Sequence, residues 1–297
     1  MVSDTVLKII QRKSGETFQN RKVTAYLENS KIRLDIDSSA YPENFLEMYK
    51  KRKPADPSVI VNSLLTNGFT LANLGISVAL ELRLARGDRF AVFTRRGTDY
   101  KCLALISGYW DVSLDTTPES CAKRELLEEF LVCQQSDEKF LIPEGMRLPY
   151  EGHQCIPSKR WTLTPSAEAF EWVLSAKLEI ADTDNCRIYI DATTSSAQVV
   201  YGYYAEFSDW QELSIFHAED RLDENKNLVT WLEDRGIVLF PITENRLINP
   251  GYYLKQGQLV TADLPDDAYF HPSMVGANHF GIVSSDKIPL KDVISFK

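Results

Sequence analysis

Residues 108–132 read GYWDVSLDTTPESCAKRELLEEFLV, and the interpretation of the whole chain starts from this stretch. Its second half predicts a helix that begins near Thr116 and runs to about Leu131. Thr116 is a suitable N-cap, Glu119 follows three residues later, and Pro118 falls in the first turn, where a missing N–H has no cost. The segment therefore predicts a short strand end followed at once by a helix.

Three carboxylates share one face of this predicted helix. At ~100° per residue, with Glu125 taken as zero, Glu129 lies near 40° and Glu128 near 300°, so all three fall within an arc of about 100°. A neighbouring arc is apolar and would face a sheet; it carries Ala122, Leu126, Phe130 and Cys133. Like charges this close repel one another unless a hard divalent cation neutralises them, and oxygen ligands of this kind suit Mg²⁺ or Mn²⁺. A second interpretation stays open, because Glu-rich amphipathic helices often present only a solvated face.

Strand-like segments precede the helix. Residues 76–84 and 89–95 are joined by Arg86-Gly87-Asp88, a turn whose glycine can take a positive φ, and this pattern predicts a hairpin. Strand character then resumes, Gly108 breaks it, and residues 110–113 form another short β piece. The helix is thus expected to pack on strands that lie immediately before it in the chain.

The flanking regions predict further elements. Residues 1–68 indicate a small N-terminal α+β region, with strand-like alternation and one helix that ends in a basic run. Residues 69–297 are expected to form the main domain, in which 222–234 predicts a late amphipathic helix. Within it, residues of about 134–185 have the character of an insertion and those of about 241–297 of a C-terminal extension.

Composition excludes several classes of protein. The chain has 297 residues, 44% of them hydrophobic, so it can bury a core and is not a disordered chain. Its net charge of −9 disfavours broad binding to nucleic acid, which is not expected as a partner. The five cysteines are odd in number and widely spaced, so no disulfide framework is expected. No apolar run approaches the ~20 residues of a membrane span, and a cytoplasmic protein without a membrane partner is expected.

The stretch 108–132 resembles the Nudix box, whose pattern is Gly, five residues, Glu, seven residues, Arg-Glu, apolar, any residue, Glu-Glu, any residue, Gly, apolar. The matching positions are Arg124, Glu125, Leu126, Glu128, Glu129 and Val132. Three defined positions depart from the pattern: Trp110 replaces the first Gly, Thr116 the first Glu, and Leu131 the late Gly. The C-terminal part of the pattern is retained, whereas the N-terminal part resembles a family member that has lost part of the glycine-rich loop.

The resemblance implies a fold and an activity. It implies an α/β protein with a Nudix-like α/β/α sandwich around a mixed sheet, in addition to the N-terminal α+β region. It also implies metal-dependent hydrolysis of a nucleoside-diphosphate-linked or related pyrophosphate. In that role Glu125, Glu128 and Glu129 would hold Mg²⁺ or Mn²⁺, and Arg124 would orient them, with Glu128, Glu129 and Arg124 as the catalytic set.

Other residues complete this hypothesis. Arg95, Trp110 and Asp115 are the predicted substrate contacts, with Asp115 or Asp111 as a substitute carboxylate in the altered loop. His217 and Glu219 are the first pair to consider for a general base. The partner would be a nucleotide-type small molecule, and a homodimer is a further expectation. The alternative hypothesis is a Nudix-like binding module without catalysis, either a nucleotide sensor or a protein-interaction scaffold, because the loop that would surround the diphosphate is replaced.

Overall fold

A computed structural model describes residues 6–7, 17–84, 87–96, 100–134, 139–146, 155–172, 185–222, 228–271, 280–284 and 287–294. For residues 6–7, 45–46, 219–222 and 228–231 the description covers the backbone only. All structural statements below refer to these parts of the chain.

The N-terminal region is a hairpin with two short helices. Its elements are β1 (Val6–Leu7), β2 (Thr17–Glu28), β3 (Lys31–Asn44), α1 (Phe45–Lys51), α2 (Pro57–Leu65) and β4 (Phe69–Thr70). Asn29 and Ser30 both have positive φ, which gives β2 and β3 the tight two-residue turn that suits twisted strands. β2 pairs with β3 on one side and with β4 on the other, so this region forms a three-stranded sheet.

The central region carries the longest helix of the described residues. Its elements are β5 (Leu74–Leu84), β6 (Arg89–Arg96), β7 (Cys102–Ala104), β8 (Ile106–Tyr109) and α3 (Pro118–Glu129). β5 pairs antiparallel with β6 near its end and with β8 near its start, which confirms the predicted hairpin. Residue 86 of the predicted turn lies outside the described residues, and Gly87 has the expected positive φ.

The remainder is dominated by strands. They are β9 (Phe130–Gln134), β10 (Lys139–Pro143), β11 (Cys155–Ser158), β12 (Trp161–Pro165), β13 (Cys186–Asp191), β14 (Ser196–Phe207), β15 (Leu213–Leu222), β16 (Leu228–Glu233), β17 (Ile237–Thr243), β18 (Arg246–Leu247), β19 (Tyr252–Lys255), β20 (Gln258–Thr261), β21 (Tyr269–Phe270), β22 (Ile282–Val283) and β23 (Ile288–Pro289). Two short 3₁₀ helices cover Glu168–Phe170 and Leu290–Asp292. The strands join into a fourteen-stranded sheet that contains β5 and β14 in parallel, and a six-stranded sheet that contains β9, β15 and β16.

The predicted α/β/α sandwich is therefore wrong. Strands make up 55% and helices 14% of the described residues, with three α-helices among them. In the described part of 222–234, the predicted late helix is instead Leu222 at the end of β15 and the strand β16; residues 223–227 lie outside the described residues. The apolar residues of this segment fit the periodicity of a helix or of a strand, but β-branched Val229 and Thr230 favour a strand. In addition, β16 forms backbone hydrogen bonds with both β15 and β1. The domain boundary at residue 68, the insertion and the extension stay predictions.

Alternate residues of β5 belong to two different hydrophobic clusters, which defines the two faces of the large sheet. Ile76, Val78 and Leu80 pack in the main cluster, together with Ala122 and Leu126 of α3. Ala79 belongs to a second cluster that contains Phe93, Trp172, Phe240 and Phe270. Helix α3 therefore covers one face of the sheet. Ala122 and Leu126 of the predicted stripe are buried there, and so are Cys121 and Leu127, which the predicted stripe did not include.

The ends of α3 differ from the prediction. The N-cap is Thr117 rather than Thr116, and a capping box joins it to Ser120: the Ser120 N–H donates to the Thr117 hydroxyl at 3.1 Å, and the Thr117 N–H donates to the Ser120 hydroxyl at 3.0 Å. The helix ends at Glu129 because the apolar run from Phe130 enters β9, between β10 and β15. Leu131 is a strand residue, 3% exposed, so glycine at this position would remove a buried side chain rather than cap a helix.

Candidate functional site

Helix α3 lies along strand β8 so that successive turns of the helix meet successive residues of the strand. Arg124 Nη2 donates to the Tyr109 carbonyl oxygen at 3.5 Å. One turn later, the Ser107 N–H points at Glu129 Oε2, with 3.4 Å between nitrogen and oxygen. The carboxylate of Glu125 lies between these two contacts, over Gly108. The acidic side of the helix therefore rests on the polar backbone of β8.

Gly108 makes this arrangement feasible. A Cβ atom at this position would lie 1.9 Å from Cδ of Glu125 and 2.1 Å from each of its oxygens. Atoms cannot approach so closely, so only glycine leaves room for the carboxylate. Gly108 is thus part of strand β8 instead of the break that the sequence predicted, and it marks a close approach, as isolated strand glycines often do.

Arg124 is the centre of the acidic cluster, which comprises Asp115, Glu125, Glu128 and Glu129. Its Nε donates to Asp115 Oδ2, its Nη1 to Glu128 Oε2, and its Nη2 lies beside Glu125 Oε1, each at 2.9 Å. Burial lowers the pKa of the guanidinium, but the charges of Glu125 and Glu128 outweigh burial, so the pKa is raised. Arg124 therefore remains charged and fixes three carboxylates at once.

Glu129 has a separate set of neighbours. Its Oε2 lies 3.5 Å from Arg96 Nη2 and 3.8 Å from His217 Nε2. His217 is buried, and its Nδ1 has no hydrogen-bond partner. The predicted base candidate thus lies beside the predicted metal ligand. His217 belongs to the strand β15; the side chain of Glu219, predicted with it, lies outside the described residues.

Arg96 connects the acidic cluster to a small polar cavity. The cavity, about 60 Å³ in volume, is lined by Arg96 together with Ser77, Ser107, Asp191 and Gln198, among others. Arg96 also donates to the Ser107 carbonyl oxygen at 3.2 Å. This contact joins the end of β6 to β8, the two strands that pair with different parts of β5. One guanidinium therefore touches both the helix carboxylate and the cavity.

Two of the predicted substrate contacts are engaged elsewhere. Arg95 points away from α3: it donates to the Tyr253 hydroxyl at 2.6 Å and lies 3.5 Å from Asp263. Because successive strand residues face opposite sides, Arg96 rather than Arg95 reaches the helix. Trp110 is 5% exposed, and its indole N–H donates to the Asp115 carbonyl oxygen at 3.0 Å, which gives it a structural contact in the loop.

The third predicted contact, Asp115, is brought into the cluster by the loop before α3. Its carboxylate is buried against Arg124, and its N–H donates to the Asp111 carbonyl oxygen at 2.9 Å. Asp111 holds the turn itself, since its Oδ1 accepts from the Ser113 N–H at 2.9 Å and from the Gln19 N–H of β2 at 3.2 Å. The altered loop is therefore an ordered turn that supplies one carboxylate.

The thiol of Cys121 is near this cluster but unsuited to nucleophilic chemistry. Its sulfur lies 3.5 Å from both the Tyr109 carbonyl oxygen and Arg124 Nη2. Burial, and then the charge of Glu125, raise the pKa of Cys121 well above its usual range, so the thiol stays protonated. All five cysteines are free thiols, and four of them are buried.

Arg96, Ser107 and Gly108 were missed as site residues by sequence reasoning. The available signal for Gly108 was a glycine inside a strand pattern, and for Arg96 the alternation of β6. Neither signal identifies its partner, because the partner depends on how α3 lies on β8.

The donor set fits a hard divalent cation in chemistry and in charge. Four carboxylates meet two guanidinium groups, those of Arg124 and Arg96, which leaves a formal charge of −2. Carboxylate oxygens are ligands that Mg²⁺ and Mn²⁺ accept. In the described ranges, however, no three His, Cys, Asp or Glu side chains converge closely enough to hold a metal ion as they stand.

Comparisons with known proteins assign no family. No protein-family model matches the chain, and no curated protein matches its sequence. In the part of the chain that the structure describes, every helix is too short or too polar to cross a bilayer.

Proposed function

We propose that the protein is a divalent-metal-dependent hydrolase that acts on a nucleoside-diphosphate-linked or related pyrophosphate. The observation that carries this proposal is the excess of carboxylates around Arg124 and Arg96, on a helix that rests against strand β8. Hydrolysis adds one water across a P–O–P linkage, so it needs no further co-reactant. The similarity of residues 124–132 to the Nudix box agrees with this activity.

Each side chain has a role in this proposal. Glu125, Glu128 and Glu129 supply oxygen ligands, and Arg124 orients the first two through its ion pairs. A bound Mg²⁺ or Mn²⁺ would supply charge neutralisation of phosphate oxygens and activation of water. Arg96 lies where it can contact an anionic group of the substrate, and His217 lies beside Glu129, where it can accept a proton. Asp115 keeps Arg124 in place from the loop side.

The alternative function is a binding module without catalysis, either a nucleotide sensor or a protein-interaction scaffold. One observation favours it: Arg124 already pairs with Asp115, Glu125 and Glu128, so the carboxylates are partly satisfied without a metal. Loading a cation would require Glu125 or Glu128 to turn away from Arg124. The shortened loop offers no glycine-rich turn to surround a diphosphate.

A metal titration with matched variants distinguishes these functions. Mn²⁺ is added to the protein, and the formation of nucleoside monophosphate, a product of hydrolysis at the P–O–P linkage, is followed with a panel of nucleoside-diphosphate-linked compounds. We expect metal-dependent turnover that falls at least about 100-fold in Glu128→Gln and in Glu129→Gln, because each loses a charged oxygen ligand. Nucleotide binding without turnover would favour the sensor, and neither binding nor turnover would favour the scaffold.

Glu119→Gln is the matched control on the same helix. Glu119 lies nearly two helical turns before Glu125 and pairs with Lys123 at 3.0 Å. Glu119→Gln therefore removes one negative charge from the helix, as Glu128→Gln and Glu129→Gln do, without changing a residue of the acidic cluster. Equal loss of turnover in this variant would mean that general helix charge, not the cluster, governs activity.

Five free thiols suit a reducing compartment, and we propose a cytoplasmic location for the protein.

A further inference from the structure

Strand β3 is the edge of the three-stranded sheet. The order of that sheet is β3-β2-β4, and among the described residues no strand pairs with the side of β3 that faces away from β2. We call this side, over residues 31–37, the outer edge. It begins directly after the turn at Asn29 and Ser30 and stops where the register with β2 shifts, between the pairs Val23↔Ile36 and Arg21↔Ala40.

The hairpin register determines which backbone groups point outward. Glu28 and Lys31 flank a two-residue turn, so they form a hydrogen-bonded pair, and such pairs recur at every second residue. Lys31, Arg33 and Asp35 therefore use their N–H and C=O groups on β2. The N–H and C=O groups of Ile32, Leu34 and Ile36 point to the outer edge, where they can bond to another strand.

The side chains along the outer edge are complementary to themselves. Residues 31–37 read KIRLDID, a sequence in which the charges reverse about Leu34. If a second copy lies antiparallel with Leu34 opposite Leu34, then Arg33 faces Asp35, Lys31 faces Asp37, and Ile32 faces Ile36. The charged residues are exposed, whereas the three apolar residues lie on the face that packs toward the core.

Backbone and side chains require the same register. With Leu34 on the two-fold axis, Ile32, Leu34 and Ile36 form the hydrogen-bonded pairs, for which their outward groups are already oriented. Arg33 and Asp35 then form non-hydrogen-bonded pairs, in which side chains approach most closely, with Cα atoms about 4.5 Å apart. Charged residues on an edge usually prevent pairing of strands, but here the charges at this one register attract.

We propose that the outer edge of β3 is a dimerisation surface for a second copy of this chain, joined antiparallel about Leu34. The interface is symmetric, as in most homodimers, and each copy contributes the same seven residues. An edge of this length buries less than the roughly 1,000 Å² of a stable interface, so the dimer dissociates on dilution. Exposed ion pairs also make it weaker at high salt. The proposal is independent of the function of the acidic cluster.

Charge reversal at the central pair tests the register. In Arg33→Asp and in Asp35→Arg, taken singly, like charges face each other at two symmetric positions, and we expect each dimer to weaken at least about tenfold. The double variant R33D/D35R restores opposite charges and should dimerise like the wild type. Sedimentation velocity over a range of concentrations measures all four proteins, and thermal unfolding checks that each is folded.

Mixing the two single variants is the decisive measurement. The Arg33→Asp copy is acidic at both central positions, and the Asp35→Arg copy is basic at both. Opposite each other they form only attractive pairs, so the mixture should form a heterodimer although neither variant dimerises alone. A misfolded variant cannot produce this rescue.

Arg246→Asp is the control for these charge reversals, because Arg246 is exposed in the short strand β18 and the change in charge is the same as in Arg33→Asp. This variant should dimerise like the wild type. A wild-type chain that stays monomeric at its solubility limit, or a mixture of the two single variants that stays monomeric, overturns the proposal.

Discussion

Two clusters of carboxylates and arginines lie on the large sheet, and they differ in how the buried charges are balanced. At the end of β5, the buried carboxylate of Glu81 is held by two arginines: Arg89 donates to Glu81 at 2.7 Å and 2.8 Å, and Arg83 donates to Oε1 at 3.0 Å and also pairs with the exposed Glu168 at 2.9 Å. At β8, one arginine is held by three carboxylates, with Arg124 at 2.9 Å from each of Asp115, Glu125 and Glu128.

The difference shows which cluster is complete. Glu81 is fully buried, and two charge-assisted partners satisfy both of its oxygens, so nothing further is needed there. Arg124 cannot balance three carboxylates, and Glu129 with Arg96 adds no net positive charge. Of these two clusters, only the second has an excess of negative charge, and for this reason the proposed cation site is assigned to it and not to Glu81.

The largest expected effect is on stability at the complete cluster. Glu81→Ala leaves Arg83 and Arg89 without their shared anion, and we expect a loss of about 3 kcal/mol in the free energy of unfolding, which urea denaturation measures. Glu206→Ala is the control, because Glu206 lies 3.9 Å from Arg83 and is half exposed; it should cost less than about 1 kcal/mol. A Glu81 variant as stable as the control would mean that water replaces the anion easily.

At the incomplete cluster, the same kind of change should respond to metal. Arg124→Met leaves three carboxylates facing one another, and without metal we expect a loss of about 2 to 3 kcal/mol. Mn²⁺ should recover part of this loss, since a ligand that binds only the folded state stabilises it by mass action. Thermal unfolding with and without Mn²⁺ measures the recovery.

Arg83→Met is the matched control for Arg124→Met. Arg89 still holds Glu81 in that variant, so the loss should be smaller, and Mn²⁺ should not change it. If the stability of Arg124→Met does not respond to Mn²⁺, the acidic cluster needs no cation, and it is a structural ion-pair cluster like the one at Glu81.

The sequence predicted the local features of the site but not its surroundings. Glu125, Glu128 and Glu129 lie on one helix, and the spacing alone predicted that. The apolar positions Ala122 and Leu126 were also predictable, since helical periodicity identifies a buried stripe. Arg96 and Ser107 were not, because their contacts with Glu129 depend on where α3 crosses the strands.

The fold class failed for a physical reason. Short apolar runs such as 228–233 fit a helix or a strand equally well, and the choice depends on the backbone partners that other segments provide. β15 and β1 provide them here; β15 directly precedes β16 in the chain, whereas β1 lies near the start of the sequence. At the level of motif, the resemblance to the Nudix box covers residues 108–132 only, so it carried no information about these pairings.

Gly108→Ala tests whether the close contact between α3 and β8 shapes the acidic cluster. The added methyl group would overlap the Glu125 carboxylate, and β8 is held in place by β5. We expect Glu125 to move, with a loss of about 1 to 2 kcal/mol and weaker binding of Mn²⁺. Isothermal titration with Mn²⁺ and urea denaturation measure both effects. Ser107→Ala is the control, because it keeps the backbone N–H near Glu129, and it should leave metal binding unchanged.

The smallest expected effect sets the scale for an ordinary ion pair on α3. The hydrogen bond from Lys123 lowers the pKa of Glu119 below its ordinary value of 4.5; burial opposes this, and the Tyr203 hydroxyl adds to it. Because the folded pKa is the lower one, this pair stabilises the protein above the unfolded pKa, and the stabilisation is lost as pH falls through the folded value. Glu119→Gln should therefore cost only about 0.3 to 0.5 kcal/mol near neutral pH, and nothing once the solution is acidic enough to protonate Glu119. Urea denaturation at several pH values measures the difference. A cost that persists in acid would mean that the hydrogen bond from the Tyr203 hydroxyl, and not the charge of Glu119, accounts for the stabilisation.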